Sequence, residues 1–121
     1  MFGLKRQIGN KAEDKAAAFL KKKGYKILKR NYALPCGEID IIAQKDKALV
    51  FVEVKYRSSQ AFGGALAAVT KAKQKRVINT ALSYIKTKKP TYESLMFDII
   101  AVSEDEIEHI QNAFSSDNFF I

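Results

Sequence analysis

Hydrophobic and polar residues recur with a helical period in two stretches of the chain. From Lys11 to Lys23 the apolar side chains return every three to four positions, with Asn10 suited to cap the start and Gly24 suited to end the helix. A longer stretch from about Ala67 to Lys86 has the same period and is followed by a proline. The pattern therefore predicts two amphipathic helices.

Shorter apolar or alternating runs predict the strands of a sheet. Three precede the second helix and two follow it: Tyr25–Tyr32, Glu38–Gln44, Ala48–Tyr56, Leu95–Val102 and, at an edge, Ile107–Phe114. A short polar turn makes the second and third strands a hairpin, whereas the helical crossover favours parallel pairing of the third and fourth. The α-β-β-β-α-β order predicts an α/β fold, a mixed sheet flanked by helices, in one domain spanning 1–121 with residues 115–121 as a loose tail.

The charges are divided unevenly along the chain. All 21 Lys and Arg residues lie within 1–89, where six acids occur, while residues 90–121 hold seven acids and no Lys or Arg. A basic body of this kind favours a polyanionic partner, with nucleic acid ranked before an acidic membrane surface. The alternative is that the lysines only solvate the surface.

The remaining composition limits the class of protein. The single cysteine, Cys36, cannot form an intrachain disulfide and has no partner for a structural zinc site. No apolar run approaches the roughly 20 residues of a membrane span, and the first residues lack the apolar core of a signal peptide. We therefore expect a cytoplasmic protein without a membrane span.

Charged residues interrupt the otherwise apolar second and third strands at Asp40, Glu53 and Lys55. Side chains of a strand alternate between its faces, so Glu53 and Lys55 are expected to share one face of the third strand. In the second strand, Glu38 and Asp40 are expected to lie together while the isoleucines on either side of Asp40 point the opposite way. If the hairpin aligns these faces, the carboxylates and the ammonium group converge near the strand ends.

Such a cluster suits metal-assisted chemistry on a phosphate. Two carboxylates favour a hard cation, Mg²⁺ or Mn²⁺, which activates water and stabilises charge on a phosphate oxygen. A neighbouring lysine stabilises the developing negative charge or orients the attacking water. The alternative from spacing alone is structural: a partly exposed Glu–Lys pair of small energetic weight, or an Asp40–Lys55 pair that only holds the hairpin together.

Several short motifs, taken in order, resemble those of one family. They are Gly9…Glu13…Ala16…Leu20; Gly24-Tyr25…Leu28…Arg30-Asn31-Tyr32; Gly37-Glu38-Ile39-Asp40-Ile41-Ile42-Ala43; Phe51-Val52-Glu53-Val54-Lys55-Tyr56-Arg57; Phe62-Gly63…Ala68-Val69-Thr70…Lys73…Arg76; and Phe97-Asp98-Ile99-Ile100. Across nearly the whole chain they resemble the YraN-like family of small bacterial proteins. That family is placed in the PD-(D/E)XK, or restriction-endonuclease-like, nuclease superfamily and is distantly similar to archaeal Holliday-junction resolvases. The chain departs from the family pattern at Ala12, at Met96, and at Tyr56, where a small polar residue is more usual.

The resemblance implies roles for the charged residues of the hairpin. Asp40 and Glu53 would bind the metal, and the main-chain carbonyl of Val54 would be a third ligand. Lys55 would be the catalytic lysine of the superfamily motif.

Two further acids have two interpretations each. Glu13 matches an additional acid that approaches the metal in resolvase-like members, and its spacing from Asn10 equally fits a capping box; the two are compatible. Glu38 is either an acid that supports the metal site or an exposed residue at the strand end.

The basic residues near the motifs are the expected contacts to nucleic acid. Lys73 and Arg76 follow the family pattern on the second helix, close to Lys71, although a run of solvated lysines has the same spacing. Arg57 and the loop after it are expected beside the site. Asp98 is expected to make structural hydrogen bonds within a buried strand.

The expected function is that of a Mg²⁺- or Mn²⁺-dependent endonuclease acting on nucleic acid, on DNA more than on RNA, with branched or structured DNA implied by the resemblance. The alternative is a nucleic-acid-binding or accessory module that keeps the fold with little or no catalysis. A homodimer is also open, since resolvase-like relatives are often dimers. The apolar end Phe119–Ile121 would then either contact a second copy or fold back onto its own core.

Overall fold

The computed structural model describes residues 2–57 and 67–116, with side chains from Asn10 onwards. Within that part of the chain, two helices and five strands follow one another as α1, β1, β2, β3, α2, β4 and β5. Their bounds are Phe2–Lys22, Lys26–Leu34, Gly37–Lys45, Ala48–Tyr56, Lys71–Lys88, Ser94–Val102 and Ile107–Phe114.

The five strands form one mixed sheet in the order β1-β2-β3-β4-β5. The pairs β1–β2, β2–β3 and β4–β5 are antiparallel, and β3–β4 is parallel, as the helical crossover predicts. The fold is therefore α/β and compatible with the restriction-endonuclease-like architecture. No helix in the described ranges is long and apolar enough to cross a membrane.

A separate hydrophobic core lies on each face of the sheet. The core under α1 contains Ala16 and Leu20 with Val50 and Val52 of β3. The core under α2 contains Val77, Ile78 and Ala81 with aromatic residues of the central strands. Because both faces are covered, β3 is buried along most of its length, and any charge on its inner part needs a partner.

Both predicted helix starts are wrong. The first helix begins at Phe2 rather than after Asn10, because the preceding residues contain no proline and Gly3 and Gly9 each cost a helix only about 1 kcal/mol. Asn10 therefore lies within α1 and caps nothing. The second helix begins at Lys71 rather than near Ala67, since the side chain of Thr70 caps it by accepting a hydrogen bond from the Lys73 N–H at 3.1 Å.

The other predicted boundaries agree to within a few residues. Gly24 ends α1 with a positive φ of 95°, as its position predicts. The edge strand Ile107–Phe114 is confirmed. The predicted loop at 58–64 and the apolar end Phe119–Ile121 lie outside the described residues, as does most of the predicted tail.

The isoleucines on either side of Asp40 do not share a face, in contrast to the alternation expected for β2. Ile39 packs in the core under α2, whereas Ile41 packs in the core under α1. A regular strand would place both on one side. The strand is therefore irregular at Asp40, and regular pairing of β2 with β3 runs only from Lys45 to Ile41.

Gly37, at the first position of β2, lets α2 approach the sheet closely. A Cβ atom at this position would lie 2.8 Å from the Thr80 hydroxyl and 3.0 Å from the Arg76 carbonyl oxygen. Thr80 is fully buried and its hydroxyl donates to that same carbonyl. The missing side chain therefore fixes the height of α2 above the beginning of β2.

Gly37→Ala is expected to destabilise the protein by about 1–3 kcal/mol, because neither the buried hydroxyl nor the helix backbone can give way without moving α2. Urea unfolding, followed by circular dichroism, measures this change in the free energy of unfolding. Glu38→Ala, one residue away and exposed, is the matched control and should change stability by less than about 0.5 kcal/mol. Equal stability of Gly37→Ala and wild type would show that the helix is not held at this height.

Candidate metal centre

Asp40 occupies the point at which β2 and β3 stop pairing. Its Oδ2 atom accepts a hydrogen bond from the Val54 main-chain N–H at 2.8 Å. The last regular pair before it joins Ile41 to Val52, so the carboxylate satisfies an N–H that a main-chain carbonyl would otherwise bond. The irregularity of β2 thus brings the acid into the gap between the two strands.

Glu53 projects from β3 towards α2. Its Oε1 atom lies 3.2 Å from the Lys73 ammonium, and only 4% of its side chain is exposed. Its Oε2 atom is buried and has no hydrogen-bond partner among the described residues. A buried carboxylate oxygen without a partner is costly, so this atom is available to a ligand that the protein itself does not supply.

Lys55 and Lys73 lie beside these two acids. Burial and the nearby Lys73 charge lower the pKa of the Lys55 ammonium. Burial alone would also lower the pKa of Lys73, but the charges of Glu53 and Asp40 and hydrogen bonds to Glu53 and Lys55 raise it overall. Two carboxylates and two ammonium groups from β2, β3 and α2 therefore form one interacting cluster.

The pKa of Asp40 is raised from 3.8 to about 7. Burial is the largest cause, followed by the negative charge of Glu53 and a side-chain hydrogen bond to Glu53, while the Val54 N–H and the Lys73 charge act in the opposite direction. Repulsion between like charges held close together in a poorly solvated site disfavours ionisation of Asp40. A divalent cation would remove that repulsion.

Two grooves meet at Asp40 and Glu38. The first, of about 180 Å³, is lined by both residues together with Glu53, Lys73 and Arg76. The second, of about 220 Å³, lies on the α1 side, and its lining includes Glu38 and Asp40 again as well as Asn10, Glu13, Asn31, Val54 and Tyr56. Asp40 is thus accessible from both layers of the fold. Glu38 is exposed near the start of β2 and lines both grooves, so its role as a supporting acid stays a prediction.

Glu13 lines the second groove, but the protein itself already engages its carboxylate. Oε1 accepts hydrogen bonds from Arg30 Nε at 2.8 Å and from Asn31 Nδ2 at 2.9 Å. The capping-box interpretation is wrong, because the helix begins eight residues before Asn10 and leaves no free N–H groups there to cap. Its position in the groove agrees with the expected approach to the site, and a role towards a metal stays a prediction.

The predicted nucleic-acid contacts differ in their positions. Lys73 and Arg76 line the first groove, so the interpretation of Lys73 as a solvated lysine of a charge run is wrong. Lys71 is exposed on the first turn of α2 and does not line either groove. Arg57 is half-buried just after β3, and its main-chain N–H donates to the Val102 carbonyl at 2.8 Å.

The structural role expected of Asp98 is confirmed. It is fully buried, its Oδ1 atom accepts from the Asn112 N–H at 2.8 Å, and its Oδ2 atom lies 2.7 Å from His109 Nε2. The pair stands where the β4–β5 register shifts, between Phe97 and Ile99. Asp98 therefore fills a gap in the sheet in the same manner as Asp40, but with both oxygens engaged.

Spacing along β3 did not reveal that Lys73 is the ion-pair partner of Glu53. The motif suggested Lys55, two residues away on the same strand, whereas the ammonium within 3.2 Å comes from α2. The position of Lys73 at the edge of the apolar stripe, one turn before Val77, was the available signal. The hydrogen bonds of Glu13 to β1 were likewise not foreseen, because they join residues 17 and 18 positions apart in the sequence.

The donor atoms at the centre fit Mg²⁺ or Mn²⁺. They do not fit a cation that needs all of its ligands from protein side chains. Among the described residues, no group of three or more His, Cys, Asp or Glu side chains is close enough to share a metal. Mg²⁺ commonly takes one or two carboxylates and completes its octahedron with waters and phosphate oxygens. Asp40 and the unpartnered oxygen of Glu53 would supply that minimum.

Comparison with known proteins assigns the chain to a family. The profile of "Uncharacterised protein family UPF0102" matches residues 12–102, a range that contains Glu13, the whole Asp40 cluster and α2. The chain belongs to the UPF0102 family. This confirms the YraN-like resemblance and leaves the activity to be argued from the site.

Individual relatives carry the same family name and match most of the chain. The UPF0102 protein of Sulfurihydrogenibium sp. (strain YO3AOP1) is 42% identical over 111 residues, which cover 92% of this chain and 96% of the relative. That of Fusobacterium nucleatum subsp. nucleatum is 44% identical over 107 residues, with coverages of 88% and 90%. That of Francisella tularensis subsp. tularensis is 46% identical over 111 residues, with coverages of 89% and 94%. The UPF0102 fold and the cluster thus lie within a segment shared along nearly the full length of these proteins.

Asp40→Asn is expected to stabilise the metal-free protein at pH 8 but not at pH 4. A folded-state pKa of about 7 against 3.8 means that the folded protein keeps a proton that the unfolded chain releases, so stability falls as pH rises from about 4 to 7. Removing the acid removes this loss, which is about 4 kcal/mol at pH 8 for a pKa raised from 3.8 to about 7. Urea unfolding in EDTA at several pH values measures the difference. A variant less stable than wild type at pH 8 would instead make the charged carboxylate a structural acceptor for Val54.

Proposed function

We propose that this UPF0102 protein is a Mg²⁺- or Mn²⁺-dependent endonuclease that hydrolyses phosphodiester bonds in nucleic acid, with DNA preferred to RNA. The observation that carries the proposal is the convergence of Asp40, Glu53, Lys55 and Lys73 at an accessible interruption of the sheet, with one buried Glu53 oxygen unpartnered. A buried carboxylate oxygen without a protein partner is an atom that a bound cation would satisfy.

Asp40 and Glu53 would hold the metal, which, when bound, polarises the scissile phosphate and lowers the pKa of an attacking water. The Val54 N–H already points into the gap towards Asp40. In an extended strand the N–H and C=O of one residue point to the same side, so the Val54 carbonyl is directed to the same gap and would be a third ligand.

Lys55 and Lys73 would have different roles at the site. Lys55, with its lowered pKa, would stabilise charge on the reacting phosphate or orient the attacking water. Lys73 would keep Glu53 Oε1 engaged, so that Oε2 faces the cation, and Arg76 in the same groove would bind the phosphate on one side.

The exposed Lys71 and the half-buried Arg57 would extend the basic surface. Glu38 and Glu13 would support the site from its two sides.

A nucleic-acid-binding or accessory module is the second candidate, and one contact favours it. The Lys73–Glu53 ion pair already neutralises one of the two carboxylates without a metal. A cluster balanced in this way would be stable as an inherited structural feature, and phosphate would then bind to the lysines alone.

Cleavage assays separate the two candidates. Labelled single-stranded, duplex, flap and four-way-junction DNA and matching RNA are incubated with Mn²⁺, Mg²⁺ or EDTA. We expect metal-dependent cleavage that falls by about 10²–10⁴-fold in Asp40→Asn, which removes a metal ligand, and in Lys55→Ala, which removes the ammonium group next to the reacting phosphate. Lys89→Ala, at the far end of α2, is the control. Tight binding without cleavage, unaffected by EDTA or by either substitution, would favour the accessory module.

Lys73→Gln is expected to strengthen metal binding and to slow cleavage. Removing the ammonium takes away a positive charge beside the cation, so Mn²⁺ should bind about 3- to 10-fold more tightly by calorimetry. Cleavage should nevertheless fall, because Glu53 loses the partner that orients it. Lys75→Gln, exposed on the same helix, should change neither quantity. Unchanged Mn²⁺ binding in Lys73→Gln would place the metal away from Glu53.

A further inference from the structure

Tyr56 is the most exposed of the tyrosines that the structure describes. The rings of Tyr25, Tyr32 and Tyr84 each contact another aromatic ring, and those of Tyr25 and Tyr84 are buried. The Tyr56 side chain is 46% exposed at the end of β3, and no ring or cation contact of it occurs among the described residues. A half-exposed aromatic ring therefore lies one residue after Lys55.

The ring stands on the boundary between the metal centre and another groove. It lines the α1-side groove that contains Asp40 and Val54. It also lines an adjoining groove of about 340 Å³, together with Lys11 and Lys15 of α1 and with Glu104. A strand that leaves the metal centre on this side must therefore pass over Tyr56.

The adjoining groove has the charge expected of a path for a phosphate backbone. Lys11 and Lys15 are both exposed and lie four residues apart, so they project from the same face of α1. Among the described residues that line this groove, Glu104 is the single acid against the two lysines. Phosphates held by exposed lysines contribute affinity without reading sequence.

We propose that Tyr56 is a stacking platform for an unpaired nucleobase of the substrate, with the phosphates of that strand lying along Lys11 and Lys15. The proposal rests on the proposed nuclease function and narrows its substrate to nucleic acid with a single-stranded segment next to the scissile phosphate. Bases within a duplex are covered by their neighbours and offer no free face, whereas an unpaired base stacks on an exposed ring.

Binding in EDTA tests the platform independently of cleavage. A single strand of about 12 nucleotides carrying one 2-aminopurine, and a blunt duplex of the same length, are titrated with each variant. Tyr56→Ser should weaken single-strand binding by about 5- to 150-fold, the range known for loss of one stacked base, and should abolish the quenching of 2-aminopurine. Duplex binding should change by less than twofold. Tyr56→Phe, which keeps the ring, should rescue both the affinity and the quenching.

Tyr92→Ser is the matched control. Tyr92 is also exposed, at 36%, but it lies in a groove with Gln44, Lys47 and Glu93 at the opposite end of β3. It should leave single-strand binding unchanged. Equal losses in Tyr56→Ser and Tyr92→Ser, or equal effects of Tyr56→Ser on the single strand and the duplex, would overturn the platform.

Cleavage of flap and duplex DNA with Mn²⁺ then separates this proposal from the proposed function. Wild-type cleavage with an unaltered preference for flap over duplex in Tyr56→Ser would overturn the platform and leave the nuclease standing. No cleavage by wild type, together with a selective loss of single-strand binding in Tyr56→Ser, would overturn the nuclease and support the platform. Absence of nucleic-acid binding by wild type would overturn both.

Discussion

The hydrogen bond from the Val54 N–H to the Asp40 carboxylate is the contact on which the arrangement of the centre depends. Two central strands of a buried sheet cannot separate without leaving main-chain groups unsatisfied, and an aspartate side chain here supplies the missing acceptor. The separation in turn admits solvent between two layers that are otherwise closed by hydrophobic cores. The Asp40 carboxylate therefore allows β2 and β3 to separate, and it also lies in the gap between them.

The charges around that gap are balanced within the protein. Asp40 and Glu53 repel one another, and burial raises the pKa of Asp40 further, while Lys73 offsets part of this through its ion pair with Glu53. Isolated buried charges would not be tolerated, but a set of alternating charges from three elements is. The close approach of α2 to the sheet at Gly37 helps to bring the Lys73 ammonium within reach of Glu53. The height of α2 above the sheet therefore also determines whether Lys73 can pair with Glu53.

Much of the fold was predictable because it follows from periodicity and from chain connectivity. The five strands, the parallel β3–β4 pair and the side shared by Glu53 and Lys55 are all consequences of alternation and of a helical crossover. The irregularity at Asp40 was not predictable in this way, since a period of two assumes a regular strand. The structure shows the irregularity because Ile39 and Ile41 pack in different cores.

The candidate site was predictable to the extent that its residues are close in sequence. Asp40, Glu53 and Lys55 lie on one hairpin, and their motif identified them. Contacts between distant elements were beyond sequence reasoning, because they depend on helix height and on single backbone angles. The ion pair of Lys73 across 20 residues and the hydrogen bonds of Glu13 to Arg30 and Asn31 are of this kind.

Asp98 and its surroundings give this fold an internal reference. The same side chain bridges a sheet irregularity twice, once at Asp98, where a histidine and a main-chain N–H engage both oxygens, and once at Asp40, where the described contacts engage one. Within the part of the chain that the structure describes, the two aspartates differ in how completely the protein engages their oxygens and in whether a groove reaches them. Measurements on the two aspartates of one molecule would separate the cost of repairing a sheet from the cost of keeping a carboxylate ready for a ligand.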